Sequence, residues 1–123
     1  MAGALILVVE DNEKNRKLVR DVLKHKGYDV IESETGEDGV RLARERRPRL
    51  ILLDIQLPGI DGIEALRRLR ADETTRAIPV IAVTASALDR DRQKIMAAGF
   101  DGYQEKPLNV KAFMAAVEAV FGR

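Results

Sequence analysis

The sequence predicts an α/β fold in which a five-stranded parallel sheet is covered by helices on both faces, doubly wound as (βα)5 with strand order 2-1-3-4-5. Short apolar runs rich in Val, Ile and Leu alternate with longer amphipathic segments, a pattern typical of βα repeats around a parallel sheet. The chain has 123 residues, a length that suits one domain with its own core. We therefore expect residues 1–123 to form a single three-layer domain.

Five strands are predicted, one in each short run between the amphipathic segments. Most of these runs are continuously apolar, as expected for strands that are buried on both faces of a sheet. In chain order the predicted strands are Leu5 to Val9, Asp29 to Glu32, Leu50 to Asp54, Val80 to Thr84 and Gly102 to Glu105.

The first predicted helix runs from Glu13 to Lys26, with apolar residues at helical spacing and a charged opposite face. Gly27 follows it and can adopt the left-handed conformation in which many helices end. The apolar residues of this helix are Leu18, Val19, Val22 and Leu23.

The remaining helices are predicted from the same spacing and from residues that cap or break helices. The second follows Thr35, a suitable N-cap, and ends before Pro48. The third spans Ile63 to Ala71, the fourth spans Leu88 to Ala98, and Asn109 caps the fifth. The apolar residues of the second helix are Val40, Leu42 and Ala43, and the inward residues of the fifth are Val110, Phe113, Val117, Val120 and Phe121.

Composition excludes several classes of function. The formal net charge is only +1, so the chain lacks the positive field on which non-specific nucleic-acid binding depends. Cysteine is absent, which excludes disulfide frameworks and thiolate metal sites. The longest apolar stretch, Ala4 to Val9, is too short to span a bilayer. We expect a soluble cytoplasmic protein that contacts neither nucleic acid nor membrane directly.

Polar residues stand at the ends of several predicted strands. Glu10 and Asp11 follow the first strand, Asp54 ends the third, Thr84 ends the fourth and Lys106 follows the fifth. The carboxyl ends of parallel strands lie at one edge of the sheet, and ligands of open α/β sheets bind where the strand order reverses at that edge. The sequence therefore predicts one site that contains all five residues.

These residue types suit a magnesium-dependent reaction with phosphate. Three converging carboxylates are costly without a cation, and Mg²⁺ binds to one or two carboxylates while it keeps several waters. Asp54 would then act as a nucleophile toward phosphorus. Lys106 would place a positive charge on a phosphoryl oxygen, and Thr84 would donate a hydrogen bond.

Two other classes of function are disfavoured by single features of the sequence. A flavin carrier needs a loop rich in Gly, Ser or Thr after the first strand, whereas residues 10–13 read Glu-Asp-Asn-Glu. A metal-dependent phosphatase built on a catalytic Asp would need a second Asp two residues after the nucleophile, where this chain has Gln56.

Together these residues resemble the receiver domain of two-component response regulators, which has the flavodoxin-like fold. The resemblance extends over essentially the whole chain. It is carried by Glu10-Asp11, Asp54, Thr84-Ala85, Lys106-Pro107 and the segment Leu57-Pro58-Gly59-Ile60-Asp61-Gly62.

The resemblance implies a role for each site residue. Asp54 would accept a phosphoryl group, and Mg²⁺ would be bound by Asp11, Asp54 and the backbone carbonyl of Gln56. Glu10 would act on the ion mainly through bound water. A shift of Thr84 would be coupled to inward rotation of an aromatic residue. In this chain that residue would be Tyr103, and the peptide bond Lys106-Pro107 would be cis.

The resemblance also implies partners. The donor would be a histidine kinase or a histidine phosphotransfer protein, and a downstream protein target would bind the switched domain. The string Val9-Glu10-Asp11-Asn12 with Asn15 is similar to stand-alone regulators of the DivK type and to hybrid-kinase receivers. We expect a stand-alone regulator, either a monomer or a weak phosphorylation-dependent dimer, with an excised hybrid-kinase receiver as the alternative.

Two surfaces for partner proteins are also predicted, together with two residues that would affect the rate of dephosphorylation. The first surface, on the first helix, is formed by Asn15, Leu18 and Val19. The second, on the last helix and opposite its inward residues, is formed by Ala112, Ala116 and Ala119. Gln56 and Ser86 flank the site and are expected to tune dephosphorylation.

Overall fold

The computed structural model describes residues 3–85 and 88–122. Strands and helices alternate along the chain, as the sequence predicts. Their order is β1 (Leu5–Val9), α1 (Glu13–His25), β2 (Asp29–Ser33), α2 (Gly36–Arg46), β3 (Leu50–Asp54), α3 (Gly62–Ala71), β4 (Val80–Thr84), α4 (Asp89–Ala97), β5 (Gly102–Glu105) and α5 (Val110–Phe121). Ser86 lies outside the described residues.

The five strands form one parallel sheet in the order β2-β1-β3-β4-β5. The predicted fold class and strand order are therefore confirmed. The order reverses between β1 and β3, which are hydrogen-bonded neighbours. The carboxyl ends of these two strands are where the predicted acidic residues lie.

Two apolar clusters lie on opposite faces of the sheet. Residues of α2, α3 and α4 pack on one face, where Val40, Leu66 and Ile95 are buried. Residues of α1 and α5 pack on the other, where Leu23 and Phe113 are buried. Strands β3 and β4 are buried at every position, which explains their continuously apolar sequence.

Side-chain caps fix where four of the helices begin. Asn12, Thr35, Asp61 and Asn109 each accept a hydrogen bond from a backbone N–H in the first turn. The predicted caps Thr35 and Asn109 are confirmed. Among the residues that the structure describes, no side chain caps the start of helix α4. Within the described ranges, no helix is long and apolar enough to cross a membrane.

Element ends differ from the predictions by one residue in several places. Because the cap of α3 is Asp61, that helix starts at Gly62 rather than Ile63. Helix α1 ends at His25, and Gly27 takes the predicted positive φ, 91°. Strand β2 continues to Ser33, which pairs with Val9 of β1.

The predicted inward face of α5 is wrong at one position. Val110 is 44% exposed because it stands in the first turn, beyond the edge of the apolar cluster. Met114 is buried in that cluster instead, beside Phe113 and Val117. The buried face of α5 thus begins at Phe113 rather than at Val110, and Val120 is partly buried as predicted.

Candidate functional site

The predicted site residues meet at the carboxyl edge of the sheet. Glu10 directly follows β1, and its N–H donates to the Ser33 carbonyl at 3.0 Å. Asp54 is the last residue of β3 and pairs with Val83 of β4. The backbone N–H of Lys106 donates to the Thr84 carbonyl at 2.8 Å, so the ends of β4 and β5 stay together.

The Lys106 ammonium joins two carboxylates. Its Nζ lies 2.6 Å from Oδ2 of Asp54 and 2.6 Å from Oε1 of Glu10. Glu10 and Asp54 are both buried, at 5% and 2% exposure. Buried carboxylates need a paired cation, and Lys106 supplies it.

Backbone donors hold the remaining carboxylate oxygens. Oδ1 of Asp54 accepts from the N–H of Gln56 at 3.0 Å. Oε2 of Glu10 accepts from the N–H of Asn12 at 3.2 Å. Both oxygens of each acid are therefore hydrogen-bonded, which fixes the two side chains against the sheet edge.

The charges of this cluster influence one another. Burial raises the pKa of the Glu10 carboxyl, and the neighbouring Asp54 carboxylate raises it further, while the hydrogen bond from Lys106 opposes the shift. Burial by itself lowers the pKa of Lys106, but its hydrogen bonds to Asp54 and Glu10 outweigh that effect and the pKa is raised. Lys106 is therefore charged at neutral pH.

The acidic residues fit a magnesium ion. Glu10, Asp11 and Asp54 each offer a carboxylate oxygen, and these oxygens all lie within 4.8 Å of one another. Asp11 is exposed while the other two are buried, so an ion here would have protein on one side and solvent on the other. Mg²⁺ prefers this arrangement, since it takes few carboxylates and keeps several waters.

Thr84 and Tyr103 lie on the α4 side of the site. Thr84 is 1% exposed at the end of β4. Tyr103 of β5 is half-buried and packs against the cluster under α2, α3 and α4. The guanidinium carbon of Arg92 lies 5.6 Å from the centre of its ring, within the range of a cation–π contact between α4 and β5. Burial raises the pKa of the Tyr103 hydroxyl.

The loop after Asp54 approaches its backbone closely. A Cβ on Gly62 would lie 2.5 Å from the Asp54 carbonyl oxygen and 2.7 Å from the Cα of Ile55. The N–H of Gly62 donates to the Ile55 carbonyl at 2.9 Å. Gly62 therefore lets the start of α3 pack directly on the backbone that carries Asp54. On the other side of the site, the Lys106–Pro107 peptide bond is cis.

The predicted surface on α1 is only partly available to a partner. Leu18 is 42% exposed, and Asn15 is partly exposed one turn closer to the site. Val19 is wrong as a docking residue, because it is 6% exposed and packs into the core with Leu23. Of the three predicted docking residues, only Asn15 and Leu18 are accessible to solvent.

The alanines on α5 do not form one exposed strip. Ala112 and Ala119 are exposed, but Ala116 is partly buried against the apolar cluster of α1 and α5. Ala116 and Ala119 also line a cavity of about 190 Å³ beside Gly102 of β5. The prediction that all three lie opposite the inward face is therefore wrong for Ala116.

Sequence reasoning missed the residue that holds the backbone of the acidic pair. Nη1 of Arg16 donates to the Glu10 carbonyl at 3.0 Å. In the sequence Arg16 is one of several charges on a polar helix face, and nothing marks it as different. Only the distance to Glu10 identifies it.

The model of the response regulator receiver domain family matches residues 6–118. The polar-differentiation response regulator DivK of Brucella anthropi is 44% identical over 117 residues, which are 95% of this chain and 95% of that protein. The DivK protein of Brucella ovis has the same identity and coverage.

Solved structures give the same match. The receiver domain of sensor histidine kinase PA1611 from Pseudomonas aeruginosa PAO1 is 38% identical, with a TM-score of 0.92 over 99% of this chain and 100% of that chain. That structure has a magnesium ion coordinated in its active-site cleft. Chemotaxis protein CheY4 of Vibrio cholerae is 25% identical, with a TM-score of 0.89 over 97% of this chain and 99% of that chain.

Proposed function

Because this chain belongs to the response regulator receiver domain family, we propose that it carries a phosphoryl group on Asp54 and changes its protein contacts in response. One observation supports this most strongly. Asp54 is buried at the strand-order reversal with Lys106 on one oxygen and two further carboxylates within metal-binding distance. A carboxylate, a cation and a metal-binding cluster are what phosphoryl transfer to an aspartate requires.

The donor is a phosphohistidine of a kinase or of a phosphotransfer protein. An oxygen of Asp54 attacks phosphorus, the P–O bond forms and the P–N bond to the imidazole breaks. The imidazole leaves with the bond's electron pair and takes up a proton. Asp54 is held for this attack by the Gln56 N–H on its other oxygen, Oδ1.

Glu10, Asp11, Asp54 and the backbone carbonyl of Gln56 are the residues proposed to hold Mg²⁺. When bound, the ion neutralises negative charge on the transferred group and orients it toward Asp54. Lys106 shifts from the Asp54 carboxylate to a phosphoryl oxygen and keeps its charge there, and the Thr84 hydroxyl donates to another. Glu10 would act on the ion mainly through bound water.

The output passes through the α4 side of the domain. Movement of Thr84 toward the phosphoryl group opens space into which the Tyr103 ring turns. The half-buried position of Tyr103 and its contact with Arg92 support this coupling, since a turn of the ring would change its contact with α4. The surface of α4, β5 and α5 then presents a different shape to a target protein.

The proposed unit is one cytoplasmic receiver domain formed by residues 1–123, which acts on no substrate other than its own phosphoryl group. The DivK relatives are matched over 95% of their length, which supports a DivK-like role for this domain. The similarity to the receiver domain of a sensor histidine kinase keeps a hybrid-kinase receiver as the alternative.

Borohydride trapping tests the assignment of Asp54. The protein is phosphorylated with Mg²⁺ and acetyl phosphate and then treated with borohydride, which reduces an acyl phosphate to an alcohol and converts aspartate to homoserine. Peptide mass mapping is expected to find homoserine at position 54 alone. Homoserine at Asp11 or at another acid would overturn the assignment.

A further inference from the structure

We propose that Arg16 is a positioning residue for the metal site, which directs the Asp11 carboxylate by holding the backbone carbonyl of Glu10. The inference rests on the proposed function, since it assigns a role in the binding of Mg²⁺ by Glu10, Asp11 and Asp54. It concerns a residue on α1 that contacts none of the reacting groups.

Three hydrogen-bonding directions of the Arg16 guanidinium are used. Nη1 donates to the Glu10 carbonyl at 3.0 Å, Nε donates to Oε1 of Glu32 at 3.2 Å, and Nη2 lies 3.3 Å from Oε1 of Glu34. The side chain is only 13% exposed. Because three nitrogens of the planar guanidinium are bonded at once, its orientation is fixed. The guanidinium therefore links the Glu10 carbonyl to β2 and to the segment that follows it.

The Glu10 carbonyl belongs to the peptide unit that leads into Asp11. Because that unit is planar, an anchored carbonyl fixes the position of the Asp11 nitrogen and limits the directions in which its side chain can leave. The Glu10 N–H is bound to Ser33, so both polar backbone groups of Glu10 are anchored.

The Asp11 carboxylate depends on this backbone anchor. It is exposed, and among the described residues none donates a hydrogen bond to it. The Glu10 and Asp54 carboxylates, in contrast, are held by Lys106 and by backbone N–H groups. The position of the Asp11 carboxylate therefore depends mainly on the conformation of its backbone. Arg16 restrains that backbone through the Glu10 carbonyl.

Positioning and charge predict opposite effects of removing Arg16. As a cation near the acidic cluster, Arg16 repels a second cation, so neutralising it would strengthen Mg²⁺ binding if charge alone mattered. As a positioning residue, its loss frees the Glu10–Asp11 peptide and weakens Mg²⁺ binding. The sign of the change in affinity therefore separates the two roles.

Arg20 provides a matched control on the same helix. Its Nη1 donates to Glu32 at 3.0 and 3.2 Å, so it shares a carboxylate partner with Arg16. Among its contacts in the described part of the chain, none is to the Glu10 carbonyl. Replacement of Arg20 removes a cation and a Glu32 contact while it leaves the acidic backbone anchored.

The experiment compares the parent with R16Q, R16K and R20Q by calorimetric titration with MgCl₂. We expect R16Q to weaken Mg²⁺ binding about 10-fold, the size of effect seen when residues behind metal ligands are replaced. R16K keeps the charge but lacks the planar fork, and it is expected to weaken binding as well. R20Q should stay within about 2-fold of the parent.

A second measurement needs no metal. Amide hydrogen exchange of Glu10 and Asn12, whose N–H groups are both hydrogen-bonded, is expected to be faster in R16Q than in R20Q in EDTA. Equal exchange in the central strands would show that both variants are folded. The inference would be overturned if R16Q bound Mg²⁺ as tightly as the parent or more tightly. It would also be overturned if R20Q lost as much Mg²⁺ affinity as R16Q.

The two proposals fail in different ways. If the parent binds no Mg²⁺, the proposed function fails. Slower amide exchange in the parent than in R16Q would still show that Arg16 restrains the Glu10–Asp11 peptide. If the parent binds Mg²⁺ and R16Q binds it equally well with equal exchange, the role of Arg16 alone is refuted.

Discussion

The ammonium of Lys106 lies 2.6 Å from Oδ2 of Asp54, although the two residues are 52 positions apart in the sequence. The same nitrogen contacts Glu10, so one cation neutralises two buried acids. If Asp54 is phosphorylated as we propose, Lys106 stands where negative charge would arrive on the phosphoryl group.

Replacement of Lys106 by methionine should destabilise the metal-free protein. The change leaves the Glu10 and Asp54 carboxylates buried without their shared cation, and we expect the free energy of unfolding to fall by about 3 kcal/mol. Urea denaturation in EDTA measures this change.

Mg²⁺ should restore much of that loss, because the ion can take over the neutralising charge and binds only the folded state. Lys111→Met is the control, since Lys111 is exposed on α5 away from the acids. Equal stability of K106M and K111M in EDTA would contradict the role of Lys106.

Replacement of Gly62 by alanine should affect both stability and phosphorylation. The new Cβ would meet the Asp54 carbonyl oxygen at 2.5 Å, so the backbone under the nucleophile must move. Overpacking of this kind costs about 1–3 kcal/mol of unfolding free energy. We expect slower phosphorylation by acetyl phosphate at saturating Mg²⁺, measured by intact mass over time. A variant with the parent's rate and stability would show that the loop adapts without moving Asp54.

Leu18→Arg should separate docking from chemistry. Leu18 is 42% exposed on α1 near the site, and an arginine there adds bulk and charge to the proposed contact with the donor helix. Transfer from the cognate phosphohistidine donor should slow by about 10-fold or more, roughly 1.4 kcal/mol of lost contact energy, while labelling by acetyl phosphate stays unchanged.

Met96→Arg is the matched control for docking. Met96 is 43% exposed, almost the same as Leu18, but it lies on α4. We expect this variant to accept phosphate from the protein donor at the parent's rate. Equal slowing in both variants, or slowing of L18R with acetyl phosphate as well, would argue against docking through Leu18.

The aromatic switch can be followed by tyrosine fluorescence. The chain has no Trp and two Tyr, so Tyr28→Phe leaves Tyr103 as the only strong fluorophore. Tyr28 stacks on Phe121 with ring centres 5.4 Å apart, and phenylalanine keeps that stacking. We expect the emission of Tyr103 to change on phosphorylation with Mg²⁺ and acetyl phosphate. A signal that stays constant while the mass rises by one phosphoryl group would exclude movement of this ring.

The sequence predicted those parts of the fold that periodicity and residue type determine. Buried parallel strands are continuously apolar, so β3 and β4 were placed at their observed bounds. The carboxyl ends of parallel strands lie at one edge of the sheet, so the sequence is enough to assign Asp54 and Lys106 to one site, and the structure places them in contact.

Side-chain direction was harder to predict, because it depends on how far each helix overlaps the sheet. Val110 was expected to face the core but is exposed at the start of α5. Val19 was expected to face a partner but is buried under α1. The supporting role of Arg16 had no signal in the sequence, since a charged residue on a polar face resembles its neighbours until its partner is known.

In the proposed function, Asp54 accepts a phosphoryl group in a metal-dependent reaction. The most direct test is the intact mass of the protein after incubation with acetyl phosphate and Mg²⁺, beside Asp54→Asn and an EDTA control. We predict a gain of one phosphoryl group that requires both Asp54 and the metal. A gain that persists in D54N, or no gain in the parent with any phosphodonor, would contradict the claim.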